Sequence, residues 1–181
     1  DAQLSRGLGD VYKRQDVLPQ TYTFELQKLT DSCKPFEGEE ALKIFKRSIT
    51  NEQFKKIKNF DLKPLASASL AQVHTANLIE NNQEIVIKIL RPNISKKVNS
   101  NIKLLKLFAF FVKVLFKDSY RLKINQVVND YERTILKEID LRLEANNTIQ
   151  TRENFLDSNL LYIPKVYKEF TSKNILVMER I

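Results

Sequence analysis

The chain of 181 residues holds three glycines, Gly7, Gly9 and Gly38, and none after position 38. Glycine opens left-handed backbone and lets a chain pass close to a ligand. The glycine-rich phosphate cradles G-x-G-x-x-G and G-x-x-x-x-G-K-[ST] are absent. A nucleotide site in this chain has to be built another way.

Cysteine and histidine exclude further classes. Cys33 stands alone and cannot form an internal disulfide, and the lone histidine, His74, leaves no Cys/His zinc site. This usage fits a reducing compartment. With 43% hydrophobic residues the chain is long enough to bury the core of one ordinary domain. The strongest apolar stretch, Leu104 to Phe116, is interrupted by Lys106 and Lys113. It falls short of the roughly 18–20 apolar residues of a membrane span. No secretory signal pattern is present.

Residues 1–15, DAQLSRGLGDVYKRQ, show no clear period and read as a leader foreign to the rest or a disordered native tail. Residues 16–59 read as a helical extension, with helices expected over Leu18–Thr30 and Glu39–Ile49 from apolar spacing. Gly38 falls in a turn-like stretch. Residues 60–181 form the main unit. Phe60 to Leu90 alternates like an antiparallel meander, with a turn at Asn81-Asn82 and a strand over Glu84–Leu90 that Arg91-Pro92 ends. Long helices are expected over Ser95–Phe116 and Ile124–Asn154. Strands are expected over Tyr162–Phe170 and Ile175–Glu179, joined by Thr171 to Asn174. The order predicts an α+β fold.

Three places can carry chemistry. On the strand Glu84–Leu90, Ile85, Ile87 and Ile89 share one face, and Val86, Lys88 and Leu90 share the other. A lysine between two apolar neighbours sits at a solvated edge or in a cleft. The stretch resembles the V-A-I-K strand of protein kinases, whose lysine holds nucleotide phosphates. Upstream lies the small-residue run Ala66-Ser67-Ala68-Ser69, where alanine admits a close backbone approach but disfavours positive φ, so the loop is stiffer than a glycine loop. Alone it reads as a plain structural turn. Finally, Glu138, Asp140 and Glu144 lie in the second long helix as read from the sequence. Asp140 and Glu144 share a face there, while Glu138 and Glu144 fall about 120° apart around the axis. They form a solvated acidic face, or Glu144 is the carboxylate that pairs with Lys88.

The segments PLASASLAQVH, EIVIKILRP, EIDLRLEANN, ENF, YIPKVY and LVMER, in this order and spacing, resemble the UbiB family of atypical kinase-like proteins, linked to ubiquinone biosynthesis. The resemblance covers about Asp16 to Ile181. It implies a kinase-like small lobe, an antiparallel sheet of about five strands with extra long helices, ending at the hinge at Met178-Glu179. It implies Lys88 as the phosphate-binding lysine, Glu144 as its partner, and Ala66, Ser67, Ala68 and Ser69 as an alanine-rich nucleotide loop. Met178 would guard the back of the pocket beside Glu179. Glu138 and Asp140 match the family's E-x-D motif, whose glutamate meets a lysine of an upstream K-x-G-Q helix. The implied ligands are ATP and Mg²⁺, the implied client a lipid or quinone-pathway intermediate, and the implied location the cytoplasmic side of a bacterial inner membrane, or mitochondria.

Two departures accompany the resemblance. No K-x-G-Q precedes Asp16-Val17-Leu18-Pro19, where the chain has Arg6-Gly7-Leu8-Gly9 instead. The catalytic-loop and metal-binding aspartates of a large lobe are absent, so the chain reads as a truncated product without turnover of its own and of low solubility. His74 reads as a packed histidine and Cys33 as an unreactive thiol. The net charge of +8 gathers lysines around the first long helix, at Lys96, Lys97, Lys103, Lys106, Lys113, Lys117 and Lys123, with Phe108, Phe110, Phe111 and Phe116 among them. That pattern is a solvated face over a core stripe, or it suits an anionic membrane surface. A nucleic acid is the remaining possibility.

Overall fold

A computed structural model of the chain describes residues 33–115, 123–156, 158 and 160–181. The expected helix over Leu18–Thr30, and Phe116 and Lys117, lie outside them. Helices α1 (Gly38–Ser48) and α2 (Asn51–Phe54) lead into four strands, β1 (Ile57–Lys58), β2 (Ala66–Ser67), β3 (Ala71–Leu78) and β4 (Glu84–Leu90). Helices α3 (Ile94–Leu115), α4 (Ile124–Glu138) and α5 (Leu141–Asn154) follow, then a 3-10 turn at Lys168–Phe170 and strand β5 (Ile175–Glu179). The α+β expectation holds, and so does the number of strands.

All pairings are antiparallel, in the order β1-β3-β4-β5 with β2 also on β3. The register places Ala66, Val73, Lys88 and Leu176 in one row, and Ser67, Gln72, Ile89 and Ile175 in the next. Side chains alternate across a strand, so adjacent rows face opposite ways. On one face Ile85, Ile87 and Ile89 are fully buried and join Ala41 and Phe45 of α1, Ile175, Val177 and Phe170. Each such side chain contributes roughly 1.5–3 kcal/mol of hydrophobic stabilisation. On the other face Leu90, Ala71 and Leu176 pack with Val98 and Ile102 of α3 and with Leu141 and Ala145 of α5. The sheet is therefore covered on both sides.

Several segments depart from the sequence-based expectations. The helix expected over Ile124–Asn154 is two helices. Ile139 leaves helical geometry, and Asp140, extended at φ −125°, ψ 91°, caps the second helix by accepting from the Arg142 N–H. The apolar period runs through the break because Ile139 and Leu141 are both buried in the same core. Tyr162–Phe170 is not a strand. It makes one bridge to β5, Val166 to Met178, then a 3-10 turn. Pro164 has no N–H to give, and the Lys165 N–H goes to the Glu179 carboxylate instead of a ladder partner. The meander expected from Phe60 begins only at Ala66, while the short β1 and α2 went unforeseen; α2 starts with a capping box of Thr50 and Gln53.

Gly38 opens α1 rather than a turn. A Cβ there would stand 2.0 Å from the Leu62 carbonyl oxygen, which is backbone and cannot swing away. Positive φ falls to Asn59, Asn82, Asn93 and Lys123 among the described residues, so asparagine makes the sharp turns that glycine usually makes.

The segment before α1 is held by a polar pair inside the first core. Gln72 and His74 are fully buried. The Phe36 N–H donates to Gln72 Oε1, and Gln72 Nε2 donates to the Phe36 carbonyl and to His74 Nε2. A carbonyl only accepts, so the 2.8 Å contact of His74 Nδ1 with the Asp61 oxygen places the imidazole proton on Nδ1. Burial holds the His74 pKa below 6.5, against the opposing pull of the Asp61 carbonyl. This is the packed, neutral histidine that the sequence suggested.

Two outcomes follow. Gly38→Ala lowers stability by about 1–3 kcal/mol in urea unfolding, because the Leu62 backbone must shift. Above about pH 6.5 both folded and unfolded His74 are neutral; below it the unfolded chain takes up a proton that the folded chain resists, so stability falls as the pH drops below about 6.5. The imidazole resonance of the lone histidine, followed by NMR, should titrate below 6.5.

Candidate functional site

Lys88 stands on the second face of β4, between Val73 on one neighbour strand and Leu176 on the other. Helix α5 crosses this face because Leu141 and Ala145, one turn apart, are buried against the sheet. Glu144, three residues after Leu141, is carried to the same side. Its carboxylate oxygens accept from Lys88 Nζ at 2.8 and 2.7 Å. The two side chains remain 30% and 40% exposed. Pairs this open to solvent contribute only about 0.2–1 kcal/mol. The pair therefore does more to orient Lys88 than to stabilise the fold.

The two groups line a cleft of about 720 Å³ together with Glu138, Asp140, Asn147 and Thr148. Four of the residues singled out in the sequence thus meet at one place, although not on one helix. Glu138 is the exposed last residue of α4, so the angular relation drawn on a continuous helix does not apply. Asp140 lies in the break and is held by Arg142, whose Nε and Nη2 donate at 2.9 and 2.6 Å. That guanidinium keeps the Asp140 carboxyl below the usual carboxylate range. Asp140 is thus engaged in starting the helix that presents Glu144. The signal was in the sequence, an aspartate directly before a helical run, but the unbroken apolar period concealed it.

Ala66 shares the row of Lys88 and is exposed. Ala68 and Ser69, also exposed, form the turn into β3, which the Ala68 N–H closes on the Ala71 carbonyl at 2.8 Å. The turn adopts no positive φ, in keeping with alanine in place of glycine. Ser67 falls in the opposite row, and its hydroxyl accepts from Arg91 Nη2 at 3.0 Å. Sequence reasoning missed Arg91, seeing only the end of a strand.

On β5, Met178 pairs with Val86 and is half-buried on the Lys88 face. Glu179 pairs with Ile85, so its side chain lies on the other face. There it accepts from Gln83 Nε2, the Tyr162 hydroxyl and the Lys165 N–H. The Tyr162 hydroxyl is the main cause holding its carboxyl below the usual range. Neither Met178 nor Glu179 is among the residues that line the cleft. A larger cleft of about 1090 Å³, lined by Gln83, Arg152 and Tyr167 among others, contains none of the residues singled out in the sequence. Among the described residues no group of three His, Cys, Asp or Glu is placed to hold a metal ion, and no helix is long and apolar enough to cross a membrane.

The chain is 44% identical over 168 residues to the probable protein kinase UbiB of Erwinia tasmaniensis. It is 42% identical over 171 residues to the protein of that name from Histophilus somni and 42% over 168 residues to that from Vibrio parahaemolyticus. Each alignment takes in 93% of this chain and 31% of the relative, so the chain spans about a third of the length of these curated relatives. The model of the ABC1 atypical kinase-like domain matches residues 28–181. With a five-stranded antiparallel sheet of the kinase small-lobe kind and added helices on both faces, the chain belongs to the ABC1 atypical kinase-like family, as a fragment of UbiB type.

Proposed function

We propose that this chain is the ATP-binding small lobe of an atypical kinase or ATPase that supports ubiquinone biosynthesis. The observation that carries the reading is the two-oxygen contact of Glu144 with Lys88, at 2.8 and 2.7 Å, in an open cleft under the sheet. A lysine so fixed presents a point charge to nucleotide phosphates. The cleft of about 720 Å³ falls in the size range of small-molecule sites. In this reading the turn of Ala66, Ala68 and Ser69 takes the phosphates, Met178 stands at the back and the Glu179 backbone beside the base, although none of these five residues lines the cleft itself. Glu138 remains at the rim for the partner that the E-x-D motif implies. ATP supplies the transferable phosphoryl group. The Mg²⁺ ligands, and the groups that act on the client, belong to the part of the relatives that this chain does not span. A lipid or quinone-pathway intermediate is the client.

A second reading rests on α3. Of its 22 residues only Val98, Ile102 and Ala109 are buried, while Phe108 is 64% and Leu115 71% exposed. Leu104, Leu107, Phe110, Phe111 and Val114 are exposed as well, with Lys103, Lys106 and Lys113 among them. Aromatic and leucine side chains beside lysines suit an anionic lipid surface, and such a surface would hold the lobe near a membrane-held client.

Isothermal titration with Mg-ATP tests the first reading. Lys88→Ala should weaken binding roughly ten- to a hundredfold, the 1.5–3 kcal/mol of a hydrogen bond to a charged group, with the circular dichroism spectrum unchanged. Unaltered affinity in that variant would sink the assignment. Vesicle flotation tests the second. The chain should float with phosphatidylglycerol-containing vesicles in preference to phosphatidylcholine ones, and Phe108→Glu with Phe111→Glu should abolish the preference. Equal flotation of the variant, or displacement of the chain from vesicles by a short DNA duplex, would reject it.

A further inference from the structure

We infer that Arg91 is the positioning residue of the alanine-rich turn, holding it so that the Ser69 N–H is presented on the Lys88 side. Where this concerns a nucleotide, it rests on the function proposed above. Arg91 makes bonds to two segments, the turn and the stretch before α1. Its Nε donates to the Ala68 carbonyl, Nη2 to the Ser67 hydroxyl and Nη1 to the Lys34 carbonyl, each at 3.0 Å. Its own N–H donates to the Leu70 carbonyl at 2.9 Å, and its guanidinium lies 5.8 Å from the centre of the Phe36 ring.

Besides Arg91, the turn is held by its own Ala68–Ala71 closure and by Leu70, which packs against the second core. Ala68 and Ser69 are exposed, and an alanine side chain is too short to anchor on a core. A loop that offers N–H groups to phosphate must have its carbonyls turned away and kept there. Arg91 does this at Ala68 and Leu70. It reaches the turn from the face that carries Ser67, Gln72 and Phe36, opposite Lys88. The peptide joining Ala68 to Ser69 is trans, so its N–H points away from its carbonyl and from Arg91, toward the Lys88 side. Among the described residues the Ser69 N–H has no acceptor. A planar fork with three donors on three acceptors is beyond a lysine. The same side chain also fastens the Lys34–Phe36 segment to the turn, so the stretch that leads into α1 and the alanine-rich turn are held by one group.

The test measures hydrogen exchange and ligand binding on the 181-residue chain with Arg91→Ala and Arg91→Lys. Both variants should speed amide exchange at residues 68–70 about tenfold while protection across Ile85–Ile89 is kept. Both should weaken Mg-ATP and ADP about tenfold and leave adenosine unchanged, because only the phosphate end is disturbed. Should Arg91→Ala fail to fold, Ser67→Ala removes one acceptor alone and should act in the same direction, about threefold. Unchanged exchange at the turn, full rescue by lysine, or an equal loss for ATP and adenosine would overturn the inference. If the unaltered chain binds no nucleotide, the function proposed above fails, and the exchange result by itself decides whether Arg91 holds the turn.

Discussion

Coverage of the sheet on both faces governs the rest of the molecule. Ile85, Ile87 and Ile89 are fully buried under α1, while Leu90 and Leu176 are buried under α3 and α5. Lys88 stands on β4 where that cover leaves an opening, and its side chain stays 30% exposed. Helix α5 meets the second face at Leu141 and Ala145 and then brings Glu144 to the ammonium, which orients it. The cleft is the gap left where the helical cover of that face ends.

The Lys88–Glu144 pair then depends on where α5 begins. Had the helix run on unbroken from α4, the two carboxylates and the apolar positions would have kept a fixed phase set at Ile124. The Asp140 cap resets that phase, and the Leu141 N–H is tied to the Lys173 carbonyl just before β5. The end of the sheet and the start of the helix are thus joined at the point that sets the direction of Glu144. Asp140 serves the site by this local task, and its carboxylate is held by Arg142 rather than left open.

The same division of labour appears at the other end of the cleft. The row of Ala66, Val73, Lys88 and Leu176 faces the cleft, and the row of Ser67, Gln72 and Ile89 faces α1. Residues next to each other in the sequence therefore serve opposite faces. Ser67 and Glu179, both drawn into the nucleotide site by family resemblance, have their side chains engaged behind the sheet. Ala66 and Met178, beside them in the chain, are on the cleft side.

Much of this was legible in the sequence. The alternation from Glu84 to Leu90 determined a strand with Lys88 opposite three isoleucines, and the lack of glycine determined a stiff turn without positive φ at Ala66–Ser69. Both are local properties, set by side-chain period and by the cost of left-handed backbone. Tertiary structure alone decided that α4 stops at Glu138, that Tyr162–Phe170 forms one bridge in place of a strand, and that Arg91 reaches back across 23 residues to Ala68. In each case a side chain or carbonyl distant in sequence took a backbone or guanidinium group whose partner no local pattern could name.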